Sequence, residues 1–126
     1  MIAALDHLVL TTADLQACLG FYRDLLGLRV ETFGQGRHAL HFGAQKINIH
    51  LKGQEFEPKA HVTMPGALDL CFIADRPLDE VIGALQVKGA RIIEGPVRRT
   101  GATGPLRSIY LRDPDRNLIE ISERVS

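Results

Sequence analysis

Four ionisable residues stand in the middle of short apolar runs: His7 in Leu5-Asp6-His7-Leu8-Val9-Leu10, His50 in Ile47-Asn48-Ile49-His50-Leu51, Asp69 in Leu68-Asp69-Leu70-Cys71-Phe72, and Glu120 in Leu118-Ile119-Glu120-Ile121. Successive side chains of a strand point to opposite faces, so apolar neighbours that pack inward send the ionisable residue to the other face. Holding such groups away from water without partners is costly. Imidazole together with carboxylate is a donor set suited to a divalent cation, which would relieve that cost. His7, His50 and Glu120 are the expected metal ligands if their strands converge. Asp69 is a further candidate whose short carboxylate, beside a turn, would serve equally to bond backbone N–H groups. A second group is basic: Arg98, Arg99 and Arg107 could cradle an anionic substrate or simply face solvent. Tyr110 is either a core aromatic or a substrate-facing hydroxyl. His38, His41 and His61 fall on a middle strand or a connector and read as surface residues.

The elements that must position these groups repeat. Asp69 follows His7 by 62 positions, and the apolar strand patterns around them match. After the first strand, Leu15, Cys18, Leu19, Tyr22, Leu25 and Leu26 give the stripe of an amphipathic helix over 14–26, closed by Gly27. After the second, Pro77 suits a first helical turn, Leu78, Val81, Ile82 and Leu85 form the stripe, and Gly89 closes it. Three strands are predicted past each helix: 28–33, 37–42 and 46–51, then 91–94, 106–111 and 117–122. Each half is βαβββ. The last strands match at an offset of 70, placing His50 opposite Glu120 in the repeat. The eight extra residues of the second half are assigned to 95–105, where three Gly and two Pro argue for a loop, a mobile lid carrying Arg98 and Arg99. The fold class is α+β, one domain over 1–126 made of a module at 4–51, a connector at 52–66 and a module at 67–123, with curved mixed sheets around a central cup.

Composition narrows the function classes. With 126 residues, 45% apolar and 24% charged, the chain has material for a core. Fifteen basic residues balance fifteen acidic ones, so the field that nucleic acid or anionic lipid would require is missing. No apolar run approaches the roughly 20 residues of a spanning helix. The first residues lack a basic, apolar leader pattern, and the expected location is cytoplasmic. Cys18 and Cys71 are both expected to be buried thiols.

Across positions 4–123 the chain resembles the vicinal oxygen chelate superfamily, which includes glyoxalase, bleomycin-resistance and extradiol dioxygenase proteins. The resemblance rests on 5–10, on Phe21-Tyr22-Arg23-Asp24-Leu25-Leu26-Gly27-Leu28 and on Tyr110-Leu111-Arg112-Asp113-Pro114-Asp115-Arg116-Asn117-Leu118-Ile119-Glu120. Segments 42–50, 55–60 and 95–102 look like a branch of glyoxalase-domain and virulence-associated proteins. The resemblance implies a cup around a divalent ion (Zn, Ni, Mn or Fe), with His7 and Glu120 at the first and last ligand motifs. It departs at Asp69, where many members have histidine, and His50 would restore a two-histidine, one-carboxylate set. It further implies Lewis-acid chemistry on a small substrate, which the arginines would require to be anionic, in a homodimer; the candidates for the proton-moving base are Glu120, taken as the catalytic residue, and Asp69. Two other classes stay open: a drug-sequestering protein of the bleomycin-resistance kind without catalysis, and an Fe(II) extradiol-type dioxygenase.

Overall fold

The computed structural model describes all 126 residues, Met1–Ser126, as two compact units, Met1–Ala67 and Leu68–Ser126. In the first unit, β1 (His7–Thr12) leads into α1 (Leu15–Leu19) and then β2 (Arg29–Phe33), β3 (Arg37–Phe42) and β4 (Gln45–Leu51). Asp14 starts α1 by accepting the Ala17 N–H on its side chain at 3.1 Å, satisfying a donor that the first helical turn leaves free. The predicted helix does not run uniformly to Leu26. From Gly20 to Leu25 it widens to a π-helical stretch in which the Leu26 N–H reaches the carbonyl of Phe21. Gly27, at φ +78, makes the left-handed exit that a side chain would resist.

Strand order in this unit is β1-β4-β3-β2, with β1 parallel to β4 and the other pairs antiparallel. Leu10, Leu40, Ile47 and Ile49 point to one face and are buried, as are Cys18, Leu19 and Tyr22 of the helix. Each fully buried aliphatic side chain contributes about 1.5–3 kcal/mol, so this one face carries most of the unit's stability. The opposite face is polar.

The second unit repeats the plan: β5 (Asp69–Ile73), α2 (Leu78–Val87), β6 (Glu94–Thr100), β7 (Pro105–Arg112) and β8 (Leu118–Arg124), in the order β5-β8-β7-β6. Its core gathers Leu78, Leu85, Ile109, Leu111, Ile119 and Ile121. The chain is therefore α+β, built of two four-stranded mixed sheets. Connector 52–66 contains no helix or strand.

Three expectations are corrected. Segment 95–105 is not one irregular loop: most of it is β6, which pairs with β7 through Val97–Ser108, Arg98–Arg107 and Arg99–Leu106, while 91–93 forms no strand. The Gly and Pro that argued against a strand are absorbed by a register shift between Glu94 and Val97 on this edge strand, where a proline's missing donor is harmless. Cys18 is buried, but Cys71 is exposed, because β5 is an edge strand and Cys71 lies on its polar side. The repeat offset of the last strands is 72 and not 70: Val9 pairs with Asn48 as Cys71 pairs with Glu120. A slip of two residues preserves the inward and outward alternation, so hydrophobic pattern alone cannot detect it.

Candidate functional site

The ladders sort the polar face of the first unit into rows that run across its strands. His7 lies beside Lys46 and His41; Val9 beside Asn48 and Ala39; Thr11 beside His50, with Arg37 next on β3 and paired to Phe33 on β2. His7 and His50 share a face, as parity requires, but they are four register positions apart. At 3.3 Å per residue that separates their backbones by ~13 Å along the strands. Two imidazoles on one tetrahedral ion hold their nitrogens within roughly 3.5 Å. Within this chain His7 and His50 are accordingly too far apart to share one ion, and no group of three or more His, Cys, Asp or Glu side chains is placed to hold an ion. His7 instead keeps its Nδ1 on Asp6 at 2.8 Å, half-exposed at the start of β1.

His50 is in a different environment. It is only 3% exposed, its ring meets Phe56 edge-on at 5.7 Å, and its Nδ1 has no hydrogen-bond partner. Burial, helped by the nearby Arg37 charge, holds its pKa below the usual imidazole value. The Oδ1 of Asn48, two residues earlier on the same face, is also buried and unpartnered. The Arg37 guanidinium lies over the rings of Phe33 and Phe56, 5.2 and 4.7 Å from their centroids.

In the second unit one row contains Cys71, Glu120, Tyr110 and Glu94, and the next contains Ile73, Ser122, Ser108 and Val97. Arg99 donates from Nε to the Tyr110 hydroxyl at 2.9 Å and approaches Glu94 at 3.5 Å. The Ser122 hydroxyl donates to Glu120 at 3.2 Å and contacts Ser108 at 2.6 Å. Although Cys71 is exposed as a residue, partial desolvation of its sulfur against β8, followed by the Glu120 charge among the causes that raise it, pushes the thiol up, so it is a poor nucleophile. Asp69 is exposed, one row further along beside Leu118.

The four expected substrate-binding residues separate into two pairs. Arg99 and Tyr110 share the face of Glu120. Arg98 and Arg107 alternate to the other face, where Arg107 binds Asp79 at 2.9 Å and Glu123 at 3.2 Å, and Glu123 in turn accepts the Leu78 N–H at the start of α2. Arg107 is thus committed to joining α2 to the sheet. An open depression of ≈ 490 Å³ at the β6–β7 hairpin is lined by Arg98, Arg99, Thr100, Gly104 and Pro105. It holds cations but no group able to move a proton.

The turn before β8 fixes Glu120. Asp113 accepts the N–H groups of Asp115 and Asn117 on Oδ1 at 2.9 Å each, and the Asn117 side chain on Oδ2 at 2.7 Å. Asn117 then accepts the Leu68 N–H at 2.9 Å. Both side chains are almost fully buried, so this network ties β7, β8 and the entry to β5 into one unit. Sequence reading missed Asn48, Arg37 and Phe56. Alternation from His50 reaches Asn48, but nothing in composition or periodicity puts Arg37 or Phe56 beside them.

Comparison with known proteins follows the same lines. Residues 4–121 match the Glyoxalase family, described as the Glyoxalase/Bleomycin resistance protein/Dioxygenase superfamily. The chain is 54% identical to virulence protein STM3117 of Salmonella typhimurium over 99% of this chain and 87% of that protein. The crystal structure of that relative superposes with a TM-score of 0.97, covering 99% of each chain. Glyoxalase domain-containing protein RDO1 of Mycosarcoma maydis is also 54% identical, over 96% of this chain and 68% of that protein. A lactoylglutathione lyase from Agrobacterium tumefaciens, 24% identical, shares the fold with a TM-score of 0.75 over 98% of this chain and 95% of its own. The chain belongs to the Glyoxalase/Bleomycin resistance protein/Dioxygenase superfamily.

Proposed function

We propose that this chain is a glyoxalase-like enzyme that moves a proton on a small, oxygen-rich anionic substrate, with Glu120 as the proton-transferring carboxylate and Arg99 and Tyr110 as the groups that bind the substrate. One observation carries the reading: Glu120 and Tyr110 are ladder partners, and the Tyr110 hydroxyl receives the Arg99 N–H at 2.9 Å on that face. Ser122 holds one carboxylate oxygen and leaves the other to take a proton, while Arg99 and Tyr110 present donors to negative charge developing on substrate oxygen. The superfamily fold suggests a divalent ion. His7 and His50 do not fit as ligands of one ion within this chain, since they are four register positions apart, and the roles given to Glu120, Arg99 and Tyr110 are those of the side chains themselves. A homodimer is part of the proposal, because β1, β2, β5 and β6 are sheet edges that association could cover.

Turnover of methylglyoxal–thiol adducts, phosphonates and catechols by the wild type and by Glu120→Gln tests the assignment. Loss of a positioned proton-transfer group lowers kcat by about 10²–10⁴-fold, with substrate still bound. Arg99→Ala raises KM more than it lowers kcat. Unchanged kcat in Glu120→Gln would overturn the proton-transfer role, and tight binding with no turnover of any substrate by the wild type would leave a sequestering protein in its place.

A further inference from the structure

Buried polar atoms in folded proteins almost always find a hydrogen-bond partner, so two neighbouring atoms that lack one point to a ligand. Asn48 Oδ1 and His50 Nδ1 are such a pair. Asn48 and His50 sit two residues apart on β4, project from the same face, and are 8% and 3% exposed. Neither is forced there by packing: on the second sheet the equivalent positions are Glu120 and Ser122, and both of those are hydrogen-bonded.

The chemistry surrounding the pair is specific. Arg37 is the next residue outward on β3 after the His38–Ile49 ladder pair, so it stands beside His50 on the same face. Its guanidinium is flanked by the rings of Phe33 and Phe56 and makes no ion pair with a carboxylate. The nearest acid on the connector, Glu55, is already engaged by the Gly53 N–H at 3.0 Å and the Thr63 hydroxyl at 3.2 Å. Phe56, whose ring meets His50, is 37% exposed and belongs to the connector.

Each group restricts its partner. An amide oxygen only accepts, so the ligand must bring a donor to Asn48. A guanidinium only donates and is positively charged, so the ligand must bring an anion to Arg37. An imidazole nitrogen does either. We propose that Asn48, His50 and Arg37 form a binding subsite for a short hydroxycarboxylate, the hydroxyl lying between Asn48 and His50 and the carboxylate on Arg37. The subsite rests on the reading of the chain as a small-molecule protein but does not depend on turnover at Glu120. It also gives His50 a role other than metal ligation.

Malate and succinate are matched probes, since they differ by one hydroxyl. Long-range nitrogen–proton NMR of the histidine rings in the full chain reads His50 directly. Malate is expected to shift the His50 Nδ1 resonance, and succinate to bind about tenfold more weakly, the loss of roughly one hydrogen bond. Arg37→Gln weakens both acids alike. Asn48→Leu and His50→Leu, in separate variants, abolish discrimination between the two acids and raise the Tm of the ligand-free protein, because an apolar side chain no longer leaves a buried polar atom unpaired. A purely structural pair would lower Tm when replaced. The proposal is overturned if malate leaves His50 Nδ1 unmoved at its highest soluble concentration, if succinate binds as well as malate, or if both leucine variants are less stable than the wild type. Glu120→Gln serves as control: it keeps the His50 shift even where turnover is lost, so failure of the subsite and failure of the catalytic assignment give different results.

Discussion

Exchanging the two side chains of the Asp113–Asn117 pair tests how Glu120 is held. In the native turn Asp113 accepts two backbone N–H groups on one oxygen and the Asn117 amide at 2.7 Å on the other, while Asn117 accepts the Leu68 N–H. Asn117→Asp replaces the 2.7 Å donor with a second carboxylate oxygen. That forfeits a charge-assisted hydrogen bond of about 1.5–3 kcal/mol and places like charges in contact, where an effective dielectric near 20 gives ~4 kcal/mol of repulsion at 4 Å. Protonating one acid at pH 7 relieves the repulsion at a comparable cost. The single variant should therefore lose about 3–5 kcal/mol. In Asp113→Asn with Asn117→Asp the new amide oxygen accepts the same two N–H groups, the new amide nitrogen donates to the new carboxylate, and that carboxylate still accepts from Leu68. Every bond is restored, and only the one between the two side chains has its donor reversed. Urea unfolding of the four proteins measures the cycle, and the double variant should recover most of the loss. A single variant within 1 kcal/mol of wild type, or a double variant no better than the single, would refute the reasoning.

Other outcomes follow from the same geometry. Gly95 sits at φ +102, where a Cβ would collide with the Ser108 carbonyl oxygen and lie 3.0 Å from the Ile109 Cα, so Gly95→Ala should cost about 2–4 kcal/mol in thermal unfolding from left-handed strain plus overpacking; a change below 1 kcal/mol would show that β6 does not hold this register. His50 has a folded pKa below its unfolded value through burial, so the unfolded chain binds more protons and stability falls as pH drops below about 6.5. Denaturant titrations of wild type and His50→Leu should diverge increasingly from pH 8 to pH 5, and a constant difference would count against a buried neutral imidazole. Zinc or nickel titration of His50→Ala should match the wild type in stoichiometry, because ~13 Å along the ladder separates it from His7; metal lost together from His50→Ala and His7→Ala would reinstate the trio. Sedimentation of the wild type should give about twice 13.9 kDa, and a monomer at micromolar concentration would remove the proposed homodimer.

No helix of the chain is long and apolar enough to cross a membrane, in keeping with the short apolar runs of the sequence. Local information was enough for the two βαβββ halves and the faces on which His7, His50 and Glu120 lie, because amphipathic periods of 3.6 and 2 are written into consecutive residues. The same information identified the 110–120 segment that holds Glu120, since its Asp, Pro and Asn are local turn chemistry. It could not give register. A slip of two residues leaves every side chain on its proper face, and only the hydrogen-bonded ladders distinguish His50 from Asn48 as the counterpart of Glu120. Nor could it show that Arg99 meets Tyr110, which depends on where β6 shifts its pairing against β7, or that Arg107 finds Asp79 on α2 and Glu123 on β8. The sequence by itself determined which residues face which side of each strand, a local property of the backbone; the tertiary structure decided which of them meet, through long-range pairing energies that no window of consecutive residues contains.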